Sequence, residues 1–318
     1  MSTLLGKWSK IDQIGDGPGA RSSHAIATVG NKLYAFGGEF SPRVPVDNRL
    51  HVFDFQTHTW SVSPATGDIP PPRVGVTMAA LGSTIFVFGG RDSACNELSE
   101  FFSFDTESLR WTILASGPPA RSYHSMASDH SHVYVFGGCG ISRRLNDLWQ
   151  YDVAAGTWAE MPSPGEVCKG RGGPGLAVID GRIWVVYGFA GLEMDDVWYF
   201  DPSQQKWHHV DTHGEKPSPR SVFATAAFEE KIVICGGEVD PSELGHMGAG
   251  MFSGESYSLD TDKLTWTKID DVSESKDHPG PRGWSAFHRG DTGLVVVGGN
   301  SPTNDRLSDV FLFEINKN

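Results

Sequence analysis

Nine residues of the chain, Glu238-Val-Asp240-Pro-Ser242-Glu243-Leu-Gly-His246, hold two glutamates, an aspartate and a histidine. Carboxylate and imidazole are ligands for Zn or non-haem Fe, and they are also the usual acid–base pair of enzymes. The same composition describes a polar surface loop, and on these residues alone both readings stand. The stretch leaves the apolar run Ile232-Val-Ile-Cys235 through Gly236-Gly237. Further glycines at 245, 248, 250 and 254 would let it fold inward.

A framework must position such a loop, and the chain supplies one by repetition. An Arg in a Pro-x-x-Arg or Arg-Gly setting recurs as Arg21, Arg73, Arg121, Arg171, Arg220 and Arg282. Each is followed by an apolar run ending in glycine: Gly37-Gly38, Gly89-Gly90, Gly137-Gly138, Gly188-Phe189, Gly236-Gly237 and Gly298-Gly299. Five of these units then reach a tryptophan, at 60, 111, 158, 207 and 266. The sixth runs through Val310-Phe-Leu-Phe313 without one, while Trp8 stands before the first Arg. From Trp8 onward the tryptophans are 52, 51, 47, 49 and 59 residues apart. A period of about 50 with Gly-Gly is the kelch pattern. The expectation is an all-β, six-bladed kelch propeller occupying residues 1–318 as one domain. A strand from the N-terminus completes the last blade and removes the open sheet edge. Residues present in every blade read as scaffold, among them the six arginines, with His24 and His124 as hydrogen-bonded strand residues. Asp195-Asp196 and Asn304-Asp305-Arg306 read as solvated turns.

What differs between blades is the candidate for function. The loops after the glycines should gather on one face, beginning with Glu39, Arg91, Cys139, Phe189, Glu238 and Asn300. Arg91 and Arg143 or Arg144 could grip an anion bidentately, or could pair with Glu39, Asp92 or Glu238. The blade 5 loop is the longest. Trp284 stands where most other blades carry Ser, Val or Gly, as a substrate wall or as core.

The bulk numbers exclude several classes. The 318 residues carry a net charge of −13 without a basic cluster, so nucleic acid and anionic membrane are poor partners. No apolar run approaches the ~20 residues of a membrane span. The first residues lack the apolar core of a signal peptide, and the four cysteines have no CxxC spacing, which reads as free thiols in the cytoplasm. There is no GxSxG, HExxH or phosphate-binding Gly-Lys-Ser/Thr motif, and nothing indicates a nucleotide cofactor.

Gly236-Gly-Glu238 to His246-Met-Gly-Ala-Gly250, Arg282-Gly-Trp284 and Gly298-Gly-Asn-Ser-Pro302-Thr-Asn-Asp-Arg306 resemble the plant specifier proteins of glucosinolate breakdown. The resemblance runs the full chain, from Gly17-Pro-Gly-Ala-Arg21 through Arg121-Ser-Tyr-His124. It implies an Fe(II)-dependent, lyase-type activity that directs the aglucone released by myrosinase to nitriles or related products. The substrate it implies is a small sulfated thiohydroximate anion. Its metal pattern, Glu-x-x-x-Asp-x-x-x-His, puts Glu238 and His246 at the outer positions and Ser242 at the middle one. Asp240 is the expected third ligand, with Glu243 as the alternative. Arg91, Arg144 and Trp284 match positions that hold substrate. A homodimer stays open. The competing readings are a protein-binding kelch scaffold, and a relative that uses Glu238 and His246 as acid and base on another small molecule.

Overall fold

The computed structural model describes residues 5–269, 277–290 and 293–316. Six sheets form six blades, antiparallel except for a two-residue parallel strand, Thr66–Gly67 and His213–Gly214, at the outer edge of blades 2 and 5. Blade 1 is Ser22–Val29, Lys32–Glu39, His51–Asp54 and Thr59–Val62, each strand hydrogen-bonded to the next. Blades 2 to 5 repeat this order, starting from the inner strands Thr77–Leu81, Ser125–Ser128, Gly175–Ile179 and Ala224–Phe228. Blade 6 consists of Ala286–Arg289, Gly293–Asn300 and Arg306–Asn316, and Leu5–Ile11 is its outer strand. Trp8 faces Phe313 in that register. The N-terminal strand therefore closes the ring as the tryptophan count predicts.

The repeated residues make the same contacts in every blade. Each of the six arginines is buried and donates from one terminal nitrogen to a carbonyl of its own second strand, at 2.8–3.1 Å. A carboxylate answers each in turn: Asp47, Glu100, Asp147, Asp196, Glu255 and Asp309. A buried guanidinium without such an answer would cost several kcal/mol, roughly 3–5. Asp196 is thus the partner of Arg171, not the solvated turn that its Asp-Asp context suggests.

The second glycine of the pair makes a blade junction. The N–H of Gly38, Gly90, Gly138, Gly237 and Gly299 donates to the carbonyl of the next blade's Arg. A Cβ on Gly37 would stand 2.7 Å from the Arg73 carbonyl oxygen, and the φ there is +72°. The tryptophans pack between blades, as Trp111 does against Phe36, Trp158 against Phe88 and Trp207 against Phe136. The Asp after each aromatic does something else: Asp54 and Asp105 accept the backbone N–H groups of the following turn.

His124 donates to or accepts from Thr77 Oγ1 at 2.6 Å. His24, its equivalent in blade 1, differs from expectation: neither ring nitrogen has a partner. The position facing it in blade 6 is Ala286, where blade 2 offers Thr77. Burial pushes His24 down to about 3, helped by the charges of Arg21 and His51, so it stays neutral.

Candidate functional site

Two concentric rings build the mouth of the axial channel. The residue two positions after each Arg has positive φ: Ser23, Gly75, Tyr123, Gly173, Val222 and Trp284, at 49–61°. The N–H of each donates to the carbonyl of the equivalent residue in the preceding blade, at 2.8–3.1 Å, and the chain of six bonds closes on itself. Positive φ strains any side chain but glycine's, by roughly 1–3 kcal/mol. Two of the six positions nonetheless carry large aromatics, Tyr123 and Trp284. Beyond this ring lie the loop-start residues Glu39, Arg91, Cys139, Phe189, Glu238 and Asn300, each bridged to the residue after its blade's Arg. Beneath runs an axial cavity of about 360 Å³ lined by inner-strand residues of all six blades.

The blade 5 loop crosses this mouth. It leaves as the hairpin Glu238–Asp240 with Met251–Phe252, and a single 3₁₀ turn, Gly245–Met247, carries His246. His246 Nε2 lies 2.9 Å from Glu39 Oε1 and 3.0 Å from the Tyr123 hydroxyl. Asn304 Nδ2 donates to the Met247 carbonyl at 3.3 Å, tying the same loop to blade 6. Burial alone would raise the Glu39 carboxyl. The hydrogen bond and charge of His246, the Arg43 N–H and the charge of Arg306 outweigh it and hold the group below the usual range. Burial and the Glu39 charge push Tyr123 well above an ordinary phenol. Arg306 is buried, bonded to Asn300, Asn304 and the neighbourhood of Glu39, rather than solvated.

Blades 3, 4 and 5 present a different surface. Arg144 is exposed, stacks on Phe189 with its guanidinium 4.5 Å from the ring centre, and has no carboxylate partner among the described residues. Burial pushes Glu193 up to about 8; Ser221 Oγ, 3.2 Å away, and the charges of Arg144 and Arg220 oppose this, while Glu238 adds to it. Burial also pushes Glu238 up to about 7, against backbone N–H groups of Gly250 and Ser242. Near neutrality Glu193 adds little negative charge near Arg144, while Glu238 is about half ionised.

The comparisons agree with this architecture. A model of the KLHDC2/KLHL20/DRC7 kelch-repeats domain matches residues 23–237. Kelch domain-containing protein 3 from Bos taurus is 27% identical over 72% of this chain and 64% of its own. The N-(sulfonatooxy)prop-2-enimidothioate sulfolyase of Thlaspi arvense is 42% identical, and the match covers 99% of this chain and 98% of that one. The chain belongs to the kelch-type specifier proteins of plants.

Within that specifier framework the residues expected from sequence fall into three groups. Trp284 lies at the mouth, edge-on to His246 and Phe252 at 5.5 and 5.6 Å. Arg144 is the unpaired cation just described. Arg91 is engaged on its own loop instead: Nε donates to Glu97 Oε1 at 3.0 Å and a terminal nitrogen bonds the same oxygen. Its partner is neither Glu39, Asp92 nor Glu238.

The three metal positions do not form a ligand set. His246 Nε2 is taken by Glu39 and Tyr123, Asp240 and Glu243 are exposed, and Ser242 Oγ accepts the Leu244 N–H at 3.2 Å. Among the described residues no three His, Cys, Asp or Glu side chains are gathered where a metal could sit. Glu238, Asp240 and His246 in this arrangement do not fit Fe(II), which needs several convergent donors. Tyr123 and Glu193 are the mouth residues that sequence reading did not single out, and Glu39 was placed on this face without its bond to His246. Comparing the second residue after each Arg (Ser, Gly, Tyr, Gly, Val, Trp) would have found Tyr123. Nothing local marks Glu193.

Proposed function

We propose that the channel mouth binds a small sulfated thiohydroximate and directs its breakdown with loss of sulfate, toward a nitrile or a related product. One observation carries this reading. Arg144 is an exposed, aromatic-stacked guanidinium with no carboxylate partner among the described residues, and burial keeps the nearby Glu193 carboxyl largely protonated. That is an anion site, because guanidinium matches sulfate oxygens bidentately and no internal counter-ion competes. Support comes from the Thlaspi arvense relative, whose name describes a sulfolyase acting on such an N-sulfonatooxy imidothioate.

Arg144 would hold the sulfate as the N–O bond breaks and its electron pair leaves with sulfate. Charge grows on the leaving oxygens, so a grip that tightens there lowers the barrier. Trp284 would pack the organic side chain and exclude water on the opposite wall. The fragment left behind has the same atoms whether it becomes isothiocyanate, thiocyanate, or nitrile plus sulfur. The protein's contribution is the geometry in which it collapses.

The test supplies the aglucone in situ from allyl glucosinolate with a thioglucosidase and separates products by gas chromatography. Wild-type protein should raise the non-isothiocyanate share, and Arg144→Ala should lose most of that increase. A product ratio equal to that of thioglucosidase alone would falsify the reading. A protein-binding scaffold draws support from apolar loop tips on the same face, Ile141 at 87% and Leu244 at 73% exposure. Unchanged product ratios with a partner bound through those tips would favour it.

A further inference from the structure

The axial channel has a second end, away from the mouth. At the mouth it is capped: the rings of Tyr123 and Trp284, from blades that stand opposite one another, lie 5.3 and 5.5 Å from the His246 ring between them. At the far end the inner strands run down to the residue seven after each blade's Arg: Thr28, Ala80, Ser128, Val178, Ala227 and Arg289. Three of these build a collar. Thr28 Oγ1 donates to the Arg289 carbonyl at 2.7 Å, Ser128 Oγ to the Ala80 carbonyl at 2.8 Å, and a terminal nitrogen of Arg289 to the Ala227 carbonyl at 3.1 Å. In each case the acceptor is the equivalent residue of the preceding blade. Five collar residues are uncharged and the sixth is a cation. Arg289 is exposed, its guanidinium lies 5.1 Å from the centre of the Phe228 ring, and it has no carboxylate partner among the described residues. Between cap and collar, Met78, Met126, Leu176 and Phe287 line the wall. Hydroxyls on that wall are turned to the protein: Thr77 pairs with His124, Ser125 donates to the Pro174 carbonyl and Ser285 to the Gly298 carbonyl. Thr225 Oγ1 departs from this, being buried without a partner.

We propose that this lower end of the channel is a second ligand site, separate from the mouth, for a small organic anion with a short apolar chain. The chain lies in the well and its carboxylate sits on Arg289 at the collar. The cavity of about 360 Å³ falls within the roughly 300–1,000 Å³ of small-molecule sites. A guanidinium has five N–H groups, and the Ala227 carbonyl occupies a single nitrogen of Arg289, so the rest of the fork is left for a carboxylate. The wall favours an apolar chain over a polar one such as a sugar, whose hydroxyls would enter the well and find the wall's own groups already engaged. The site does not rest on the activity proposed for the mouth, because no mouth side chain would touch the charged end of the ligand.

The experiment uses the full chain labelled with ¹³C-methyl methionine, with resonances assigned through Met→Leu variants, and needs no turnover. Met78 and Met126 report the well, while Met247 and Met251 on the blade 5 loop report the mouth. Octanoate, titrated below its micellar concentration, should shift the Met78 and Met126 methyls saturably and leave Met247 and Met251 in place. 1-Octanol, which lacks the charge, should bind about tenfold more weakly. Arg289→Ala should weaken octanoate by about tenfold or more, and Arg289→Lys should recover part of that loss. Ala80→Phe, at the collar, should exclude both ligands. Near-UV circular dichroism checks that each variant is folded. Absence of a saturable shift at Met78 and Met126 overturns the proposal, as does a response confined to Met247 and Met251. Equal affinity for octanoate and 1-octanol, or an Arg289→Ala variant that binds octanoate as the wild type does, overturns it as well.

Discussion

On the side of the mouth built by blades 1 and 6, the buried side chains of Glu39 and Arg306 are paired. Glu39 is answered by His246 and Arg306, and Arg306 is further held by Asn300 and Asn304. On the side built by blades 3, 4 and 5, Arg144 has no carboxylate partner among the described residues, and Glu193 and Glu238 are pushed up to about 8 and 7. The first side holds a loop in place at the expense of its ligand capacity. The second leaves a cation available and the Glu193 carboxyl near it largely neutral, which favours an incoming anion. The difference separates arginines that build the fold from one that is free to bind.

The sharpest way to break that distinction is to exchange the two kinds of arginine. Arg121 donates to both oxygens of Asp147 at 2.8 and 2.7 Å and to the Gly137 carbonyl at 3.0 Å. Arg121→Ala should cost about 3–5 kcal/mol and leave protein that is insoluble or melts far below wild type. Arg144→Ala should leave Tm unchanged within about 1 °C yet raise the concentration of sulfated substrate needed for half-maximal product control by about 10- to 100-fold. If the two variants behaved alike, the separation between scaffold and site would be wrong.

Glu193 tests the neutral side. Its folded pKa is raised from 4.5 to about 8, so the folded state holds a proton that the unfolded chain releases. The associated stability is complete below pH 4.5 and is lost as pH rises toward 8. Glu193→Gln should stabilise the protein by about 1–3 kcal/mol at pH 9 and by almost nothing at pH 4, read by urea titration at both values. It should also flatten a loss of sulfated-ligand affinity that the wild type shows between pH 7 and 9, where the carboxyl ionises beside Arg144.

Trp284 tests the ring. Glycine already occupies this position in blades 2 and 4. Trp284→Gly should relieve strain that offsets the lost packing, moving stability by less than about 1 kcal/mol, while weakening control over bulky substrates. The smallest structural change expected is Ser242→Asp. Aspartate can accept the Leu244 N–H as serine does, so Tm should hold. Anaerobic equilibration with Fe(II) followed by elemental analysis should show metal retained near one per chain only in the variant, since it alone carries the Glu-x-x-x-Asp-x-x-x-His pattern. Equal retention by the wild type would mean that the loop rearranges to gather ligands.

Residues that make one contact six times were legible in the sequence. The arginines, the Gly-Gly junctions, the tryptophans and the closure of blade 6 all follow from repetition, because each symmetric contact leaves a periodic trace. The site was legible only where it departs from that period within one segment, as Trp284, Arg144 and the blade 5 loop do. Contacts across the axis leave no such trace. Glu39 and His246 are 207 residues apart, and only the ring geometry brings them to 2.9 Å. Arg306 looked like part of a polar turn because its burial depends on Glu39 from another blade. Arg91 misled in the opposite direction, since its partner Glu97 lies six residues on in its own loop.

The strand Leu5–Ile11 pairs along its whole length with the last strand, so that Trp8 faces Phe313. On the ribosome this means that Leu5–Ile11 must wait for Arg306–Asn316. Blades 1 to 5 can each form locally as they emerge, but the inner strands at the two ends of the row stay unjoined until blade 6 has been made. Closing so long a loop is slow, and the waiting edges can pair with other chains. Yield in a heterologous host should therefore depend more on translation rate and chaperone supply than on the stability of the finished ring.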